Sequence, residues 1–326
     1  MNTTTTAPPL FLHLLADRNG SPAGMLLGGA GVALDDLPHE SLSELAQGMG
    51  CFYRDGVSAE VADALQAANW QPLPLDALLH TDAAFDAKAL PSAVQWIEGD
   101  WFMAPPPKPV GAQAASRALA LQLVQRVTSE ADTHEIEALL RQDPTLSYHL
   151  LKLVNSLGMG ASRKVTSFSQ AILILGRAQL RRWLNLMLFS SREGDMRSAM
   201  LLARVAVRAH ALEQLCKALG QDKLHQEQGF MAGMFSLLGV LFGMPLAEVL
   251  QPLTISEDVK QALLSHGGEL GALLALLETG ERGDYAALSA QLAQLGLDAA
   301  TFNQIMADAS LWMQGVASGK AGSANA

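Results

Sequence analysis

The chain has 326 residues, of which 49% are hydrophobic and 17% are charged, and its formal net charge is −10. This composition excludes a wholly disordered chain, which would combine low hydrophobicity with high charge. No apolar run reaches the roughly 18 residues of a membrane-spanning helix, and residues 1–9 form a Thr/Pro-rich tail unlike a signal peptide. With only two cysteines, Cys51 and Cys216, we expect a folded protein in the reducing cytoplasm and no contact with a membrane.

The charge is unevenly distributed along the chain. Residues 1–116 carry 4 basic and 13 acidic side chains, residues 117–193 carry 10 and 6, and residues 194–326 carry 8 and 13. An acidic chain has no long-range attraction for nucleic acid as a whole. Nucleic acid is therefore not an expected partner, although the basic middle segment leaves that alternative open.

Residues 10–106 predict a small α/β domain. Two apolar runs flank a polar cluster with Gly20 and Pro22, a pattern typical of a hairpin turn. The other predicted elements are helices at residues 42–49 and 59–69 and strands at residues 51–55 and 93–103. Proline-rich sequence then predicts a linker at residues 107–112, because proline neither continues a helix nor pairs in a central strand.

Residues 113–316 predict an all-helical domain, followed by a disordered Gly/Ala/Ser-rich tail at residues 317–326. Asp143 and Pro144 stop one helix and start the next, with Asp as the N-cap and Pro at the first helical position. Gly176 breaks a later helical segment. Further helices are predicted at residues 199–219, 226–251, 257–278, 284–294 and 299–316.

Three motifs in this helical part resemble the HDOD family. They are DPTLSYHLLKLVNS from Asp143, SFSQAILILG ending at Gly176, and LRRWLNLML around Trp183. Residues 230–250 resemble the second half of the same family, in the branch where an HDOD domain follows an EAL-type domain. The resemblance implies a helical signal-transduction domain over residues 113–316. Its motif residues, read as structural, are Asp143, Pro144, Asn155, Ser156, Gln170, Gly176 and Trp183.

Local chemistry favours that structural interpretation. Asn155 and Ser156 lie at the C-terminal end of a predicted helix, where amide and hydroxyl groups tie down the following loop through backbone hydrogen bonds. Gln170 suits a capping box with Ser167. Trp183 shares one helix face with Leu180, which is typical of a core anchor rather than a ligand-stacking group.

The N-terminal part resembles an EAL domain at both of its ends. LLADRNGSPAGMLL, from Leu14, is similar to the opening strands, and GDWFMAPPPKP, from Gly99, is similar to the closing segment. A complete eight-stranded barrel needs about 250 residues, far more than lie between these two motifs. The resemblance therefore implies a truncated, degenerate EAL-like domain, and the fold class expected for the whole chain is α+β.

Hydrolases of the related HD type hold metal ions with separated histidines and an adjacent His-Asp pair. The chain contains no His-Asp dipeptide, and Ser236 and Leu237 occupy the positions of that pair. Leucine cannot bind a metal, and a lone serine hydroxyl is a poor ligand. Glu137 begins an EAL tripeptide, but within a predicted helix rather than at a strand end. We therefore predict no catalytic residue, no metal site and no cofactor.

These observations favour a non-catalytic signalling scaffold, not an enzyme. Its partners would be a kinase, a response regulator or a second-messenger protein. Two alternatives stay open: a metal-dependent phosphohydrolase or cyclic-dinucleotide phosphodiesterase with unrecognised ligands, and a nucleic-acid-binding regulator. Transition-metal content and nucleotide hydrolysis would favour the first of these, and salt-dependent binding to DNA or RNA the second.

Basic residues in the middle segment are the predicted docking surface for a partner. Arg181 and Arg182 adjoin the inward-facing Trp183 and should point to solvent. An acidic surface would fit them, on another protein, on a second copy, or on the chain's own N-terminal domain. The five residues of this predicted surface are Arg163, Lys164, Arg177, Arg181 and Arg182.

Overall fold

A computed structural model describes two large parts of the chain and several short pieces between them. The described residues are 8–29, 31–106, 121–123, 125–126, 129, 131–140, 176, 195–251, 253 and 255–317. The predicted linker at residues 107–112 lies outside these ranges, so the predicted division into domains stays a prediction.

The first structural unit is the predicted hairpin, which is confirmed. Strands β1 (Phe11–Ala16) and β2 (Pro22–Gly28) pair antiparallel. The Asp17 carboxylate accepts hydrogen bonds from the backbone N–H groups of Asn19 and Ser21, at 2.8 and 2.9 Å. Gly20 has φ of 78°, a left-handed conformation that glycine adopts without steric cost.

The hairpin is the centre of a six-stranded half-barrel sheet with the order β4-β3-β2-β1-β6-β5. Strands β2 to β6 run in one direction, and β1 is antiparallel to both of its neighbours. Right-handed crossovers through helices are the usual way to join such parallel strands. The remaining elements of this part are α1 (His39–Gly48), β3 (Gly50–Tyr53), α2 (Ala59–Ala67), β4 (Gln71–Pro72), β5 (Leu78–His80) and β6 (Trp96–Glu98).

The remaining described elements are all helical, which agrees with the mixed α and β class expected from the sequence. They are α3 (Thr133–Leu140), α4 (Ser198–Ala218), α5 (Lys223–Phe235), α6 (Leu238–Phe242), α7 (Leu246–Leu250), α8 (Glu257–Ser265), α9 (Gly268–Glu281), α10 (Tyr285–Leu295) and α11 (Ala299–Ala317). Within the described ranges, no helix is both long enough and apolar enough to cross a membrane.

The single helix predicted at residues 226–251 is three helices in the structure, α5, α6 and α7. Gly243 ends α6 with φ of 65°, and Pro245 is the residue before α7. A left-handed glycine followed by proline stops a helix, because proline lacks the N–H that would continue the hydrogen-bond ladder.

The sheet and the C-terminal helices share one hydrophobic core. Leu14 and Trp70 from the sheet side and Phe302 and Met313 from α11 belong to the same buried cluster. Helix α9 lies so close to β1 that a Cβ atom on Gly280 would come within 2.2 Å of the Phe11 ring. Burial of this shared apolar surface is the main force that holds the two parts together.

Polar contacts from α11 fix the register of this packing. The Asn303 side chain accepts a hydrogen bond from the Leu10 N–H and donates one to the Asp36 carbonyl, both at 2.9 Å. Ser41 donates to the Asp308 carboxylate at 2.8 Å. The Leu10 N–H, just before β1, thus has its hydrogen-bond acceptor on α11. The two ends of the described chain therefore stabilise each other.

We expect Asn303→Ala to lower the free energy of unfolding by about 1–3 kcal/mol, because the buried Leu10 N–H is left without a partner. Urea unfolding followed by circular dichroism measures this. The matched control is Asn19→Ala, at an exposed turn position. An Asn303→Ala protein as stable as wild type would contradict the role of α11.

Candidate functional site: a cleft between the sheet and the C-terminal helices

A cleft of about 730 Å³ lies between the half-barrel sheet and helices α4, α9 and α10. That volume lies in the range of small-molecule sites, about 300–1,000 Å³. The cleft lies at the carboxyl ends of the parallel strands β2, β3, β5 and β6, where α/β folds place ligands. Polar side chains from these strand ends that line it are Arg54, Asp55, His80, Asp82, Glu98 and Asp100.

A buried cluster of ion pairs lies on the helical side of the cleft. The Glu281 carboxylate accepts hydrogen bonds from Nε and Nη2 of Arg208 at 2.8 and 2.6 Å, and lies 3.0 Å from Arg204 Nη1. Burial alone would raise the pKa of Glu281, but Arg208 and Arg204 outweigh it and lower that pKa to about 2. Glu281 is therefore ionised throughout the physiological range, and its charge holds α9 against α4.

Arg204 joins this cluster to the end of the sheet. Its Nη2 lies 3.2 Å from the Asp100 carboxylate, and its guanidinium lies 4.9 Å from the centre of the Phe102 ring. An arginine is suited to this place, because its planar group can pair with two carboxylates and stack on an aromatic face at once. Arg204 is thus committed to protein partners on both sides of the cleft.

His13 and Tyr285 meet across the cleft. The His13 Nε2 atom and the Tyr285 hydroxyl oxygen are 2.8 Å apart, although 272 positions separate the residues in sequence. Burial, with the nearby positive charge of Arg204, lowers the pKa of His13 to about 4. Burial also raises the pKa of Tyr285. The imidazole is therefore neutral and the phenol protonated at neutral pH.

Arg54, Glu98 and His80 form a third, more accessible group at the strand ends. Arg54 Nη2 donates to both carboxylate oxygens of Glu98, at 2.5 and 2.6 Å. His80 Nδ1 lies 3.4 Å from the same carboxylate. The Arg54 side chain is 48% exposed, so its guanidinium can still reach a ligand in the cleft.

The charges of the lining decide what the cleft can bind. Three arginines and five carboxylates line it, which gives a formal net charge of −2 from these eight groups. Carboxylates accept hydrogen bonds from the N–H and O–H groups of bases and sugars, whereas an anionic group needs the donors of the arginines and Tyr285. A ligand with both polar donors and a negative charge matches this mixture.

Comparison with known proteins identifies the helical part. Residues 115–262 match the family model of the HDOD domain. This agrees with the resemblance seen in the sequence, although the cleft residues of α9 and α10 follow the residues matched to the HDOD domain.

Two curated proteins are similar to this chain. The cyclic di-GMP phosphodiesterase CdgJ of Vibrio cholerae is 32% identical over 199 residues, which are 61% of this chain and 46% of CdgJ. YuxH of Bacillus subtilis is 32% identical over 142 residues, 43% of this chain and 34% of YuxH. The chain thus spans less than half the length of either relative.

Two solved structures are more distant. An HDOD domain protein from Geobacter sulfurreducens has a TM-score of 0.37 at 15% identity, covering 66% of this chain and 92% of its own. The MmoQ response regulator from Methylococcus capsulatus has a TM-score of 0.27 at 16% identity, covering 59% and 95%.

The prediction of a non-catalytic scaffold, and of no enzyme, is wrong in the light of these relatives. A protein that is 32% identical over most of this chain is named a phosphodiesterase. The prediction rested on Ser236 and Leu237. In the structure Ser236 donates a hydrogen bond to the Gly233 carbonyl at 2.7 Å, and Leu237 is a buried core residue. Their identity excludes one kind of metal centre at that position, but it does not exclude hydrolysis elsewhere in the chain.

Most residues singled out in the sequence lie outside the described residues. The predicted docking surface, Arg163, Lys164, Arg177, Arg181 and Arg182, is among them and stays a prediction. So are the structural motif residues Asp143, Pro144, Asn155, Ser156, Gln170 and Trp183. Gly176 is described, has a helical assignment and a φ of 73°, and its predicted role as a helix break stays a prediction.

Sequence reasoning missed the cleft. One signal was available: Arg204 and Arg208 lie one turn apart within an otherwise apolar stretch of α4, where buried charges require partners. The partner, Glu281, follows more than 70 residues later, and no local pattern indicates the pairing.

The pH dependence of stability tests the burial of His13. Its pKa is about 4 in the folded chain and 6.5 when unperturbed, so the unfolded chain binds a proton first on acidification. The stability that neutral His13 contributes is therefore present above pH 6.5 and is lost as the pH falls to about 4. We expect His13→Gln to flatten this part of the curve, measured by urea unfolding between pH 7.5 and 4.5.

The control for this prediction is His39→Gln, because His39 is exposed at the start of α1. It should keep the pH dependence of the wild-type chain. Equal curves for wild type and His13→Gln would show that His13 is not held neutral in the cleft.

Proposed function

We propose that the chain is a phosphodiesterase that hydrolyses a cyclic dinucleotide, with cyclic di-GMP as its substrate. The observation that carries the proposal is the 32% identity to CdgJ, which is named for this activity. Hydrolysis adds one water across a P–O bond of the ring and gives a linear dinucleotide with a terminal phosphate and a free hydroxyl. The cleft is the proposed substrate site.

The topology of the sheet supports an EAL-type origin for the N-terminal part. An antiparallel β1 is followed by β2, α1, β3, α2 and β4, with alternating strands and helices and parallel strands. Apart from the antiparallel β1, this open sheet resembles an eight-stranded barrel from which two strands are missing. We propose that residues 10–106 are a shortened relative of an EAL domain, with residues 113–316 as the HDOD domain.

The position of the cleft supports its assignment as the substrate site. Barrel enzymes place their active sites at the carboxyl ends of the strands. Arg54 directly follows β3, His80 ends β5 and Glu98 ends β6, and all three line the cleft. The ends of three different strands thus bring these side chains together, as expected for a site that binds one ligand from several sides.

Each group of the cleft has a binding or orienting role in this proposal. Arg54 would donate to a phosphate oxygen of the substrate, and Glu98 and Asp100 would accept from base or ribose donors. Among the described residues, no three His, Cys, Asp or Glu side chains lie close enough together to hold a metal ion. No catalytic step is therefore assigned to a metal ion in this cleft.

Location and partners belong to the same proposal. Cys51 and Cys216 are buried free thiols, which supports a reducing compartment, and we place the chain in the cytoplasm. Signalling proteins that dock on the HDOD domain would connect turnover of the nucleotide to an output.

The test is turnover by the purified full chain. Cyclic di-GMP is incubated with the protein in Mg²⁺, in Mn²⁺ or in EDTA, and the linear product is quantified by chromatography. We expect product from the wild-type chain. Arg54→Ala should lower kcat/KM about 10- to 100-fold, the effect of one charge-assisted hydrogen bond of about 1.5–3 kcal/mol.

Arg126→Ala is the matched control, because Arg126 is an exposed arginine paired with Glu135 outside the cleft. It should leave kcat/KM unchanged. Absence of linear product under all three conditions would refute the proposed activity. Product formed equally by Arg54→Ala and wild type would show that the cleft is not the substrate site.

A further inference from the structure

The hydroxyl of Tyr285 lies on the helical side of the cleft and has no role yet in the proposed function. Helix α9 ends at Glu281, and a tight turn with Gly283 at φ of 72° leads into α10. Asp284 caps α10 by accepting a hydrogen bond from the Ala287 N–H at 3.0 Å. Tyr285 is the first residue of α10, so its position is fixed by the ion pair that anchors α9 and by this cap.

The sheet holds the same hydroxyl from the opposite side. A Cβ atom on Gly28 would lie 1.9 Å from the Tyr285 hydroxyl oxygen, so only glycine leaves room for the phenol above the backbone of β2. His13 Nε2 lies 2.8 Å from that oxygen. The phenol is thus confined between β1, β2 and α10, at the wall of the cleft.

The protonation of the pair decides what the hydroxyl can do. The pKa of His13 is lowered to about 4 and that of Tyr285 is raised, so both groups are neutral at pH 7. When His13 donates Nε2–H to the phenol oxygen, the phenol O–H is left to donate to a ligand. A neutral donor is valuable in this cleft, because the five carboxylates of the lining repel an anionic ligand and cannot donate to it.

We propose that Tyr285 donates a hydrogen bond to a phosphate oxygen of the cyclic dinucleotide, and that His13 is the positioning residue that orients this donor. The inference rests on the proposed function for the identity of the ligand. It assigns a substrate contact to the C-terminal helices beyond residue 262, where the match to the HDOD domain ends. The sheet and this C-terminal segment would then both be needed to form the site.

The first measurement is calorimetric binding of cyclic di-GMP to the full chain, with turnover measured separately. We expect Tyr285→Phe to weaken binding about 10- to 100-fold, the range for loss of one hydrogen bond to a charged acceptor. Gly28→Ala should weaken binding similarly, because its methyl group displaces the hydroxyl while His13 and Tyr285 are both kept. Tyr53→Phe is the matched control, since Tyr53 bonds Gln66 away from the cleft.

A double-mutant cycle separates positioning from ordinary packing. If His13 acts through the phenol, His13→Leu should weaken binding in a chain with Tyr285 but add little in the Tyr285→Phe chain. Additive losses would contradict the positioning role. Circular dichroism confirms that each variant is folded, and Tyr285→Phe keeps the test valid if Gly28→Ala fails to fold.

The outcomes distinguish this inference from the proposed activity. Selective weakening by Tyr285→Phe in a chain that shows no turnover would support the contact and refute the phosphodiesterase. Turnover and binding unchanged by Tyr285→Phe would overturn the contact and leave the phosphodiesterase standing. A wild-type chain that does not bind cyclic di-GMP would overturn the contact.

Discussion

The position of Glu281 between two arginines of α4 is the contact on which the candidate site depends. Its carboxylate is 9% exposed and pairs with Arg208, which is 5% exposed, and with Arg204. Removal of one partner from a buried pair costs about 3–5 kcal/mol, because the remaining charge is left in an apolar environment. This pairing therefore fixes the position of α9 along α4 and its rotation about its own axis. The turn that follows α9 then places Tyr285 at the sheet.

The half-barrel sheet needs the helices for a second reason. A closed barrel buries its inner side chains within itself, whereas a six-stranded open sheet leaves one face to be covered. Residues of the sheet and of helices α4, α9 and α11 belong to one buried cluster, whereas Leu15, Leu26 and Phe52 of the strands, with Leu73, form a second, smaller cluster. The packing that stabilises the open sheet also forms the second wall of the cleft. The same contacts therefore stabilise the fold and form the site.

The structural features that the sequence predicted correctly are those that depend on a local pattern of residues. The hairpin at Gly20 is correct because its turn chemistry lies within six residues, and the helical character of the C-terminal part follows from the spacing of its apolar residues. The split of residues 226–251 at Gly243 and Pro245 was missed, although both residues are recognised helix terminators. The HDOD resemblance was correct because its motifs are contiguous segments, and residues 115–262 match that family.

The cleft was not predictable in the same way. His13 and Tyr285 are 272 positions apart, and Arg208 is 73 positions from Glu281, so no spacing rule connects them. The functional prediction failed for a related reason: it treated the missing ligands at Ser236 and Leu237 as a property of the whole chain. A site assembled from strand ends and distant helix ends gives no single motif.

Hydrogen exchange with and without cyclic di-GMP measures most directly whether both walls of the cleft hold one ligand. Peptides that cover β1 and β2, and those that cover α9 and α10, should exchange more slowly when the nucleotide is in excess, because a ligand that touches both walls stabilises both. Slower exchange in only one of these walls, or no change in either, would contradict a substrate site formed jointly by the sheet and the C-terminal helices.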